Sequence, residues 1–169
     1  MNAFIKTAYI LFVLLAASTL LMAQGHNTHM KADSSSHILL PATDFKWMDA
    51  PPGLPKGAKV AILSGDPGKE GHFVIRVMFP ANYQVKPHWH PTAENITVIK
   101  GTLFMGTQEN FDMKMATKLD EGSFAVMPAK HVHYAFCKVP TVIQLHGMGP
   151  FAITYVKASD DPRNMTKMP

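Results

Sequence analysis

The sequence predicts an all-β domain, and two observations support that prediction. From residue 60 to residue 156, short runs of β-branched and aromatic residues alternate with turn signals such as Gly65-Asp66-Pro67-Gly68, which is the pattern of strands joined by tight turns. No segment in this range shows sustained helical periodicity. About eight to ten strands fit the range, a number that favours a sandwich or a barrel.

Each expected strand is a hydrophobic run bounded by turn residues, for example Pro80-Ala81-Asn82 and Asp120-Glu121-Gly122. With 169 residues, 47% of them hydrophobic, the chain has enough apolar side chains to fill one core. The expected strands cover residues 60–63, 73–79, 85–90, 96–99, 103–105, 124–127, 133–137, 141–145 and 151–155.

Residues 1–23 have the pattern of a signal peptide. One positive residue, Lys6, precedes an almost wholly apolar stretch over residues 8–22, and Leu21-Met22-Ala23 resembles a small-residue cleavage site. The alternative is a retained membrane anchor, but the stretch is shorter than the roughly 18 to 20 residues that a spanning helix needs. We therefore expect an exported protein, periplasmic or secreted, without membrane attachment after cleavage.

The rest of the chain divides into three parts by composition. Residues 24–59 are expected to form a flexible arm followed by a proline-rich lead-in, because Pro51-Pro52-Gly53 cannot form a helix. Residues 60–157 contain the expected barrel, and residues 158–169 form a polar tail.

Charge and cysteine content exclude some classes of protein. The formal net charge is +4, and the Lys and Arg residues form no run or stripe, so nucleic-acid binding is not expected. Cys137 is the only cysteine in the sequence, and it cannot pair within its own chain. The stability of the fold must therefore come from its core.

Three histidines and one glutamate carry metal-binding chemistry. His88 and His90 lie two residues apart in an expected strand, so their side chains point to one face, with α-carbons roughly 7 Å apart. Such a pair alone is weak support for a metal site, because paired histidines also occur on solvated faces. Glu94 follows closely, and His133 lies on a later strand. Imidazoles combined with a carboxylate suit zinc, iron, manganese, nickel or copper, which the sequence does not distinguish.

The spacing of these residues resembles that of the cupin superfamily. Both motifs of that family are represented within residues 82–137. The resemblance implies a small jelly-roll barrel that holds one divalent transition metal through His88, His90, Glu94 and His133, and homodimers are common in the family. The residues that match are His88, His90, Glu94 and Gly101 in the first motif and Gly122, Pro128 and His133 in the second.

The sequence departs from the cupin pattern at three positions. Asn82 and Lys130 stand where the family has glycine; Asn tolerates a left-handed turn, whereas Lys130 predicts a turn that is built differently. Cys137 stands where asparagine is common. Four residues along a strand span roughly 13 Å, so Cys137 cannot easily share a metal with His133, and we expect an unpaired thiol inside the barrel.

Several polar residues are candidates for a pocket beside the metal. His131 lies two residues before His133 and could share its face, so the sequence alone permits it as the ligand, although the family spacing favours His133. A three-residue turn at 138–140 places Ile143, not His146, on that face, and a slip of one residue in register reverses this. The pocket candidates are His131, Tyr134, Cys137, Gln144 and His146.

Four protein ligands leave one or two coordination positions open on the ion, as a catalytic or ligand-binding metal requires. Two functions remain open, both with a small molecule as partner. One is a metal-dependent enzyme of the dioxygenase, isomerase or decarboxylase type, which needs a further acid or base such as His131, Tyr134 or His146. The other is a non-catalytic module that binds or senses a metal or a small ligand.

A second metal site is a hypothesis for the amino terminus. Cleavage after Ala23 leaves Gln24-Gly25-His26 as the first three residues. The free amine, two deprotonated amides and the imidazole of His26 then give the four square-planar nitrogens that copper(II) or nickel(II) favours. The alternative is a polar arm without a metal, and cyclisation of Gln24 would remove the amine.

Overall fold

The computed structural model of the chain describes residues 37–165. The predicted signal peptide and the hypothetical site at Gln24, Gly25 and His26 lie outside the described residues. Within 37–165 the chain forms eleven strands, two short 3₁₀ helices and one short α-helix, α1 (Pro162–Met165). None of the helices in this range is both long and apolar enough to cross a membrane.

The strands form two antiparallel sheets that face each other as a jelly-roll barrel. The six-stranded sheet has the order β1-β2-β3-β10-β5-β8, and the five-stranded sheet has the order β11-β4-β9-β6-β7. The all-β jelly-roll prediction is therefore confirmed. In chain order the strands are β1 (Met48–Asp49), β2 (Lys59–Ser64), β3 (Gly71–Phe79), β4 (Gln84–Trp89), β5 (Glu94–Lys100), β6 (Thr102–Gly106), β7 (Thr117–Asp120), β8 (Phe124–Met127), β9 (His133–Phe136), β10 (Thr141–Gly149) and β11 (Thr154–Tyr155).

Two strands were not expected from the sequence, and β10 extends four residues beyond its expected end. β1 precedes the proline-rich stretch and contains only two residues. Three of the four residues of β7 are exposed, so that strand lacks the hydrophobic alternation by which strands are recognised. β10 continues through Gly147-Met148-Gly149, because β3 extends to Gly71 and pairs with all three residues, while β5 pairs with Gly147.

Alternating side chains of the central strands form the core between the sheets. On β3 the inward residues Phe73, Ile75, Val77 and Phe79 are buried, and the residues between them are more exposed. This period of two is the expected consequence of a pleated strand with one face in a core. The buried aromatic and aliphatic residues of both sheets form one continuous cluster.

Two turns at the barrel ends use left-handed backbone at residues other than glycine. Asn82 has φ 62° and Lys130 has φ 61°, so Asn82 takes the conformation expected of it. Lys130 was expected to mark a differently built turn, but it occupies the left-handed region that glycine favours. Its amide donates a hydrogen bond of 2.7 Å to the carbonyl of His90, which ties this turn to the histidine pair.

Candidate metal centre

Strand pairing brings the four predicted ligands to one region of the barrel. His88 on β4 lies opposite His133 on β9 in the five-stranded sheet. Glu94 is the first residue of β5 in the facing sheet. His90 directly follows β4, and its side chain lies inside the barrel with the others. All four are buried, with exposed fractions of 4% for His88, 4% for His90, 6% for Glu94 and 1% for His133.

The ligand atoms of these residues converge. One ring nitrogen from each of His88, His90 and His133 lies within 4.8 Å of the other two. Oε2 of Glu94 is 3.1 Å from Nε2 of His133 and 3.7 Å from Nε2 of His90. These separations suit atoms that share one ion, since metal–ligand distances of about 2.0 to 2.2 Å place neighbouring ligands roughly 3 to 3.5 Å apart.

Each histidine is oriented by a main-chain carbonyl. Nδ1 of His88 lies 2.7 Å from the carbonyl oxygen of Lys86, and Nδ1 of His90 lies 2.7 Å from that of Ala152. Nδ1 of His133 lies 3.0 Å from the carbonyl oxygen of His131. A carbonyl can only accept, so each Nδ1 carries the hydrogen and each neutral ring presents a bare Nε2. Histidines that bind metals are fixed in this way.

Three of the converging atoms have no hydrogen-bond partner. Nε2 of His90, Nε2 of His133 and Oε2 of Glu94 are all buried and unpaired. Nε2 of His133 and Oε2 of Glu94 lie 3.1 Å apart, and two such acceptors repel each other unless a metal ion or a proton lies between them. Three imidazole nitrogens and one carboxylate oxygen form a donor set for a divalent transition metal, so the residues present fit such an ion.

Burial keeps two of the rings in the form that binds a metal. Desolvation lowers the pKa of His88 well below its ordinary value, and the neighbouring His133 and His90 lower it further. Desolvation also lowers the pKa of His90, although Glu94 opposes that shift. A ring with a lowered pKa stays neutral near pH 7, and only the neutral ring donates a lone pair to a metal.

The ligand set lies in the wall of a cavity of about 440 Å³. Among the described residues that line it, Arg163 is the only one with a polar side chain apart from the four predicted ligands. The remaining walls come from aliphatic and aromatic residues of both sheets and from loops at one side. This composition, apolar with a few grouped polar atoms, is typical of small-molecule sites.

A proline-rich strap, defined as residues 51–57, covers part of the cavity. Pro51, Pro52, Gly53 and Leu54 line it directly. Two tyrosines hold the strap in place. The Tyr155 hydroxyl donates a 2.8 Å hydrogen bond to the carbonyl of Gly53, and the Tyr83 hydroxyl donates to the carbonyl of Pro55. Neither this stretch nor Arg163, in the predicted polar tail, has a sequence pattern that predicts a place in the cavity wall.

None of the five predicted pocket residues lines this cavity. His131 is exposed and contributes only its carbonyl. Tyr134 follows His133 on β9 and therefore points to the opposite face, where its hydroxyl donates to the carbonyl of Asp112 at 2.6 Å.

The other three predicted pocket residues do not face the cavity: two lie on the outer face of a strand, and one is buried elsewhere in the core. Gln144 and His146 alternate with Ile143 and Leu145, which line the cavity, so they lie on the outer face of β10. Cys137 is a buried free thiol in the core cluster, and its Sγ lies 3.2 Å from the carbonyl of Pro80. The prediction that Ile143 faces inward after a three-residue turn is confirmed, because Ile143 lines the cavity.

The two-sheet barrel and its inward ligand set are those of a cupin. The cupin family model matches residues 67–145 of the chain, and solved cupin structures share its fold. The sequence resemblance to the cupin superfamily is therefore confirmed, and the fold of the chain is that of the cupins.

Individual solved structures are similar in fold at low sequence identity. The polyketide cyclase RemF from Streptomyces resistomycificus has a TM-score of 0.63 and 19% identity, over 79% of this chain and 95% of that chain. An RmlC-like cupin from Shewanella frigidimarina has a TM-score of 0.53 and 14% identity, over 67% of this chain and 91% of that chain. No curated protein sequence matches the chain. These similarities establish the fold, and any conclusion about activity has to come from the residues of the site.

Proposed function

We propose that the chain binds one divalent transition metal through His88, His90, Glu94 and His133, and that it uses this ion to hold a small organic molecule in the barrel cavity. The observation that carries the proposal is the close approach of two buried acceptors, Oε2 of Glu94 and Nε2 of His133, at 3.1 Å. A shared cation removes that repulsion, and the cavity gives the ion access to a ligand.

The residues of the site define the chemistry that the ion would perform. A divalent metal with four protein ligands supplies Lewis acidity at its remaining positions. Glu94 contributes one negative charge and the neutral histidines contribute none, so the loaded site keeps one net positive charge and favours an anionic oxygen. The apolar walls exclude water and strengthen that attraction, because electrostatic interactions are stronger where the dielectric constant is low.

We propose metal-centred catalysis on the bound molecule as the first candidate function. A fold neighbour named as a polyketide cyclase is consistent with this choice. Binding or sensing without turnover is the second candidate, and one observation favours it: among the described residues that line the cavity, none apart from the predicted ligands has a carboxylate, imidazole, thiol or phenol. Acid–base chemistry would therefore depend on Glu94, the metal site or the substrate itself.

Metal analysis tests the proposal directly. Protein purified from its native host is expected to contain about one transition metal per chain, and the metal-free protein is expected to take up one equivalent of Zn²⁺, Mn²⁺, Fe²⁺, Ni²⁺ or Cu²⁺. Failure of all five ions to bind would contradict the proposal. Mass spectrometry of small carboxylic acids and diketones after incubation with the loaded protein separates the candidates, because conversion supports catalysis and unchanged bound ligand supports the binding module.

We also propose that the protein is exported and forms a homodimer. The sequence pattern of residues 1–23 supports export, and the resemblance to the cupin superfamily, in which homodimers are common, supports the dimer. Mass spectrometry of the protein from cell fractions would identify the mature amino terminus, and an uncleaved chain confined to the cytoplasm would contradict export. Light scattering measures the mass in solution, and a mass of one chain at micromolar concentration would contradict the dimer.

A further inference from the structure

Away from the ligand set, the inward-facing side chains of both sheets are apolar. Inward residues that pair across neighbouring strands form rows across the cavity wall. In the six-stranded sheet, Glu94 lies opposite Gly147, and the next inward row along the strands contains Ile96 paired with Leu145. Inward residues of successive rows are about 7 Å apart. The row beyond contains Ile143 paired with Val77. The facing wall from the five-stranded sheet is equally apolar and consists of Val85, Ala135, Leu103 and Met105.

The backbone of these strands offers no further polar group to a ligand. β10 pairs with β3 on one side and with β5 on the other, and β5 also pairs with β8. The amides and carbonyls of these strands are therefore used within the sheet. A hydroxyl, amide or charge on the ligand would have no partner in this part of the cavity, and each such group would weaken binding by roughly tenfold.

The positive charge at the edge of the cavity is already paired with a carboxylate of the same chain. Arg163 lines the cavity, but its guanidinium donates to the Asp161 carboxylate from two atoms, with Nε to Oδ1 at 2.8 Å and Nη2 to Oδ2 at 2.7 Å. The same guanidinium donates to the carbonyl of Ile153 at 3.1 Å. A second anionic group on a ligand would have to compete with Asp161 for this arginine.

Cavity volume sets the scale of the ligand. The cavity of about 440 Å³ lies within the range found for sites that bind small molecules. A medium-length alkyl chain or a small fused-ring system is of this scale.

We infer that the ligand of this cavity is a small amphiphile with one polar, anionic end at the predicted metal ligands and an apolar body against the aliphatic rows. The position of the polar end rests on the proposed function, whereas the apolar body rests on the cavity walls alone. The inference excludes sugars and nucleotides as ligands, because both carry several polar groups along their length.

Calorimetric titration with straight-chain carboxylates tests the ligand class. With the zinc-loaded protein, affinity is expected to rise about three- to fourfold for each added methylene from butanoate onward, and to stop rising once the cavity is full. Octanedioate, which adds a second carboxylate to the same chain length, is expected to bind at least about tenfold more weakly than octanoate. Affinity independent of chain length, or octanedioate binding as tightly as octanoate, would overturn the inference.

A matched pair of variants locates the binding in the cavity. Ala135→Leu adds side-chain volume to the cavity wall and is expected to stop the rise in affinity at a shorter chain. Ala81→Leu makes the same change at an exposed turn residue and is expected to leave the series unchanged. Identical series in both variants and the wild type would show that the carboxylates bind elsewhere, which would also overturn the inference.

Elemental analysis in the same samples separates this inference from the proposed function. If the protein binds no metal but affinity still rises with chain length, the apolar body is supported and the metal-held polar end is refuted along with the proposed function. If the metal binds with full stoichiometry but affinity does not depend on chain length, the proposed function stands and the ligand class is wrong.

Discussion

At the scale of single residues, the orientation of the histidine rings depends on the main chain as much as on the histidines themselves. The carbonyls of Lys86, Ala152 and His131 each fix one Nδ1. Ala152 is distant in sequence from His90, so the loop before β11 has to fold before that ring is held. The site is therefore assembled by tertiary structure even though three of its four predicted ligands lie within seven consecutive residues.

Replacement of a ligand histidine should release the metal. His88→Ala, His90→Ala and His133→Ala each remove one imidazole, and water is a weaker substitute. Metal affinity is expected to fall at least about tenfold, because even changes to groups that only orient a ligand cost that much. Elemental analysis after dialysis at fixed free metal gives the measurement.

His131→Ala is the matched control for these variants. Its side chain is exposed and its carbonyl, which contacts His133, is unchanged by the substitution. The variant is expected to keep most of its metal. A loss as large as that of His133→Ala would show that the second-motif ligand has been assigned to the wrong histidine.

Lys130 should tolerate glycine better than a β-branched residue. It has φ 61°, a conformation that costs a β-branched side chain about 1 to 3 kcal/mol. Lys130→Val is therefore expected to lower the free energy of unfolding by about that amount, whereas Lys130→Gly keeps the amide that binds the His90 carbonyl and avoids the strain. Urea unfolding of both variants gives the comparison, and equal stability of the two would contradict a left-handed turn at this position.

At the scale of strands and loops, the sequence predicts elements better than it predicts what they face. The strands with alternating or continuous apolar runs, such as β3 and β10, are recognisable because their burial follows a period of two. β1 is too short and β7 too exposed to give that signal. His88, His90 and Glu94 were predictable because their spacing is local, and His133 was predictable from its match to the second cupin motif. The cavity walls combine strand residues with the strap and Arg163, which only the folded chain brings together.

The hydrogen bond from Tyr155 should hold the strap over the cavity. Tyr155→Phe removes the hydroxyl that donates to the Gly53 carbonyl and is expected to reduce stability by about 1 kcal/mol. Hydrogen–deuterium exchange in a peptide that spans residues 50–58 should become faster, because the strap loses one of its two tyrosine contacts. Mass spectrometry of the exchanged peptide gives the measurement.

Tyr134→Phe is the control for this change. It removes a buried hydroxyl that donates to the Asp112 carbonyl, so its effect on global stability should be similar. Exchange in the strap should match the wild type after correction for that global effect. Faster strap exchange in both variants alike would indicate that the strap responds to overall stability and does not depend on Tyr155.

At the scale of the whole molecule, the fold relies on its apolar core and on whatever the ligand set binds. Cys137 is unpaired and buried, so no disulfide within the chain restrains the unfolded state. Against this, the four predicted ligands bring one buried carboxylate and two unpaired buried imidazole nitrogens into the barrel. Buried polar groups without partners destabilise the folded state. The metal-free protein should therefore have a lower free energy of unfolding than the metal-bound protein.

Metal removal should therefore lower thermal stability. An ion that binds only the folded chain stabilises it by about 2.7 kcal/mol when its free concentration is 100 times its dissociation constant. For a domain of this size that corresponds to a rise in Tm of about 5 to 10 °C. Calorimetric scans of wild-type protein with chelator and with excess zinc give the difference. The His88→Ala variant should show a much smaller rise under the same conditions, since it lacks one ligand. An equal rise in the variant would mean that zinc stabilises the protein at another site, and no rise in the wild type would contradict metal binding by the folded barrel.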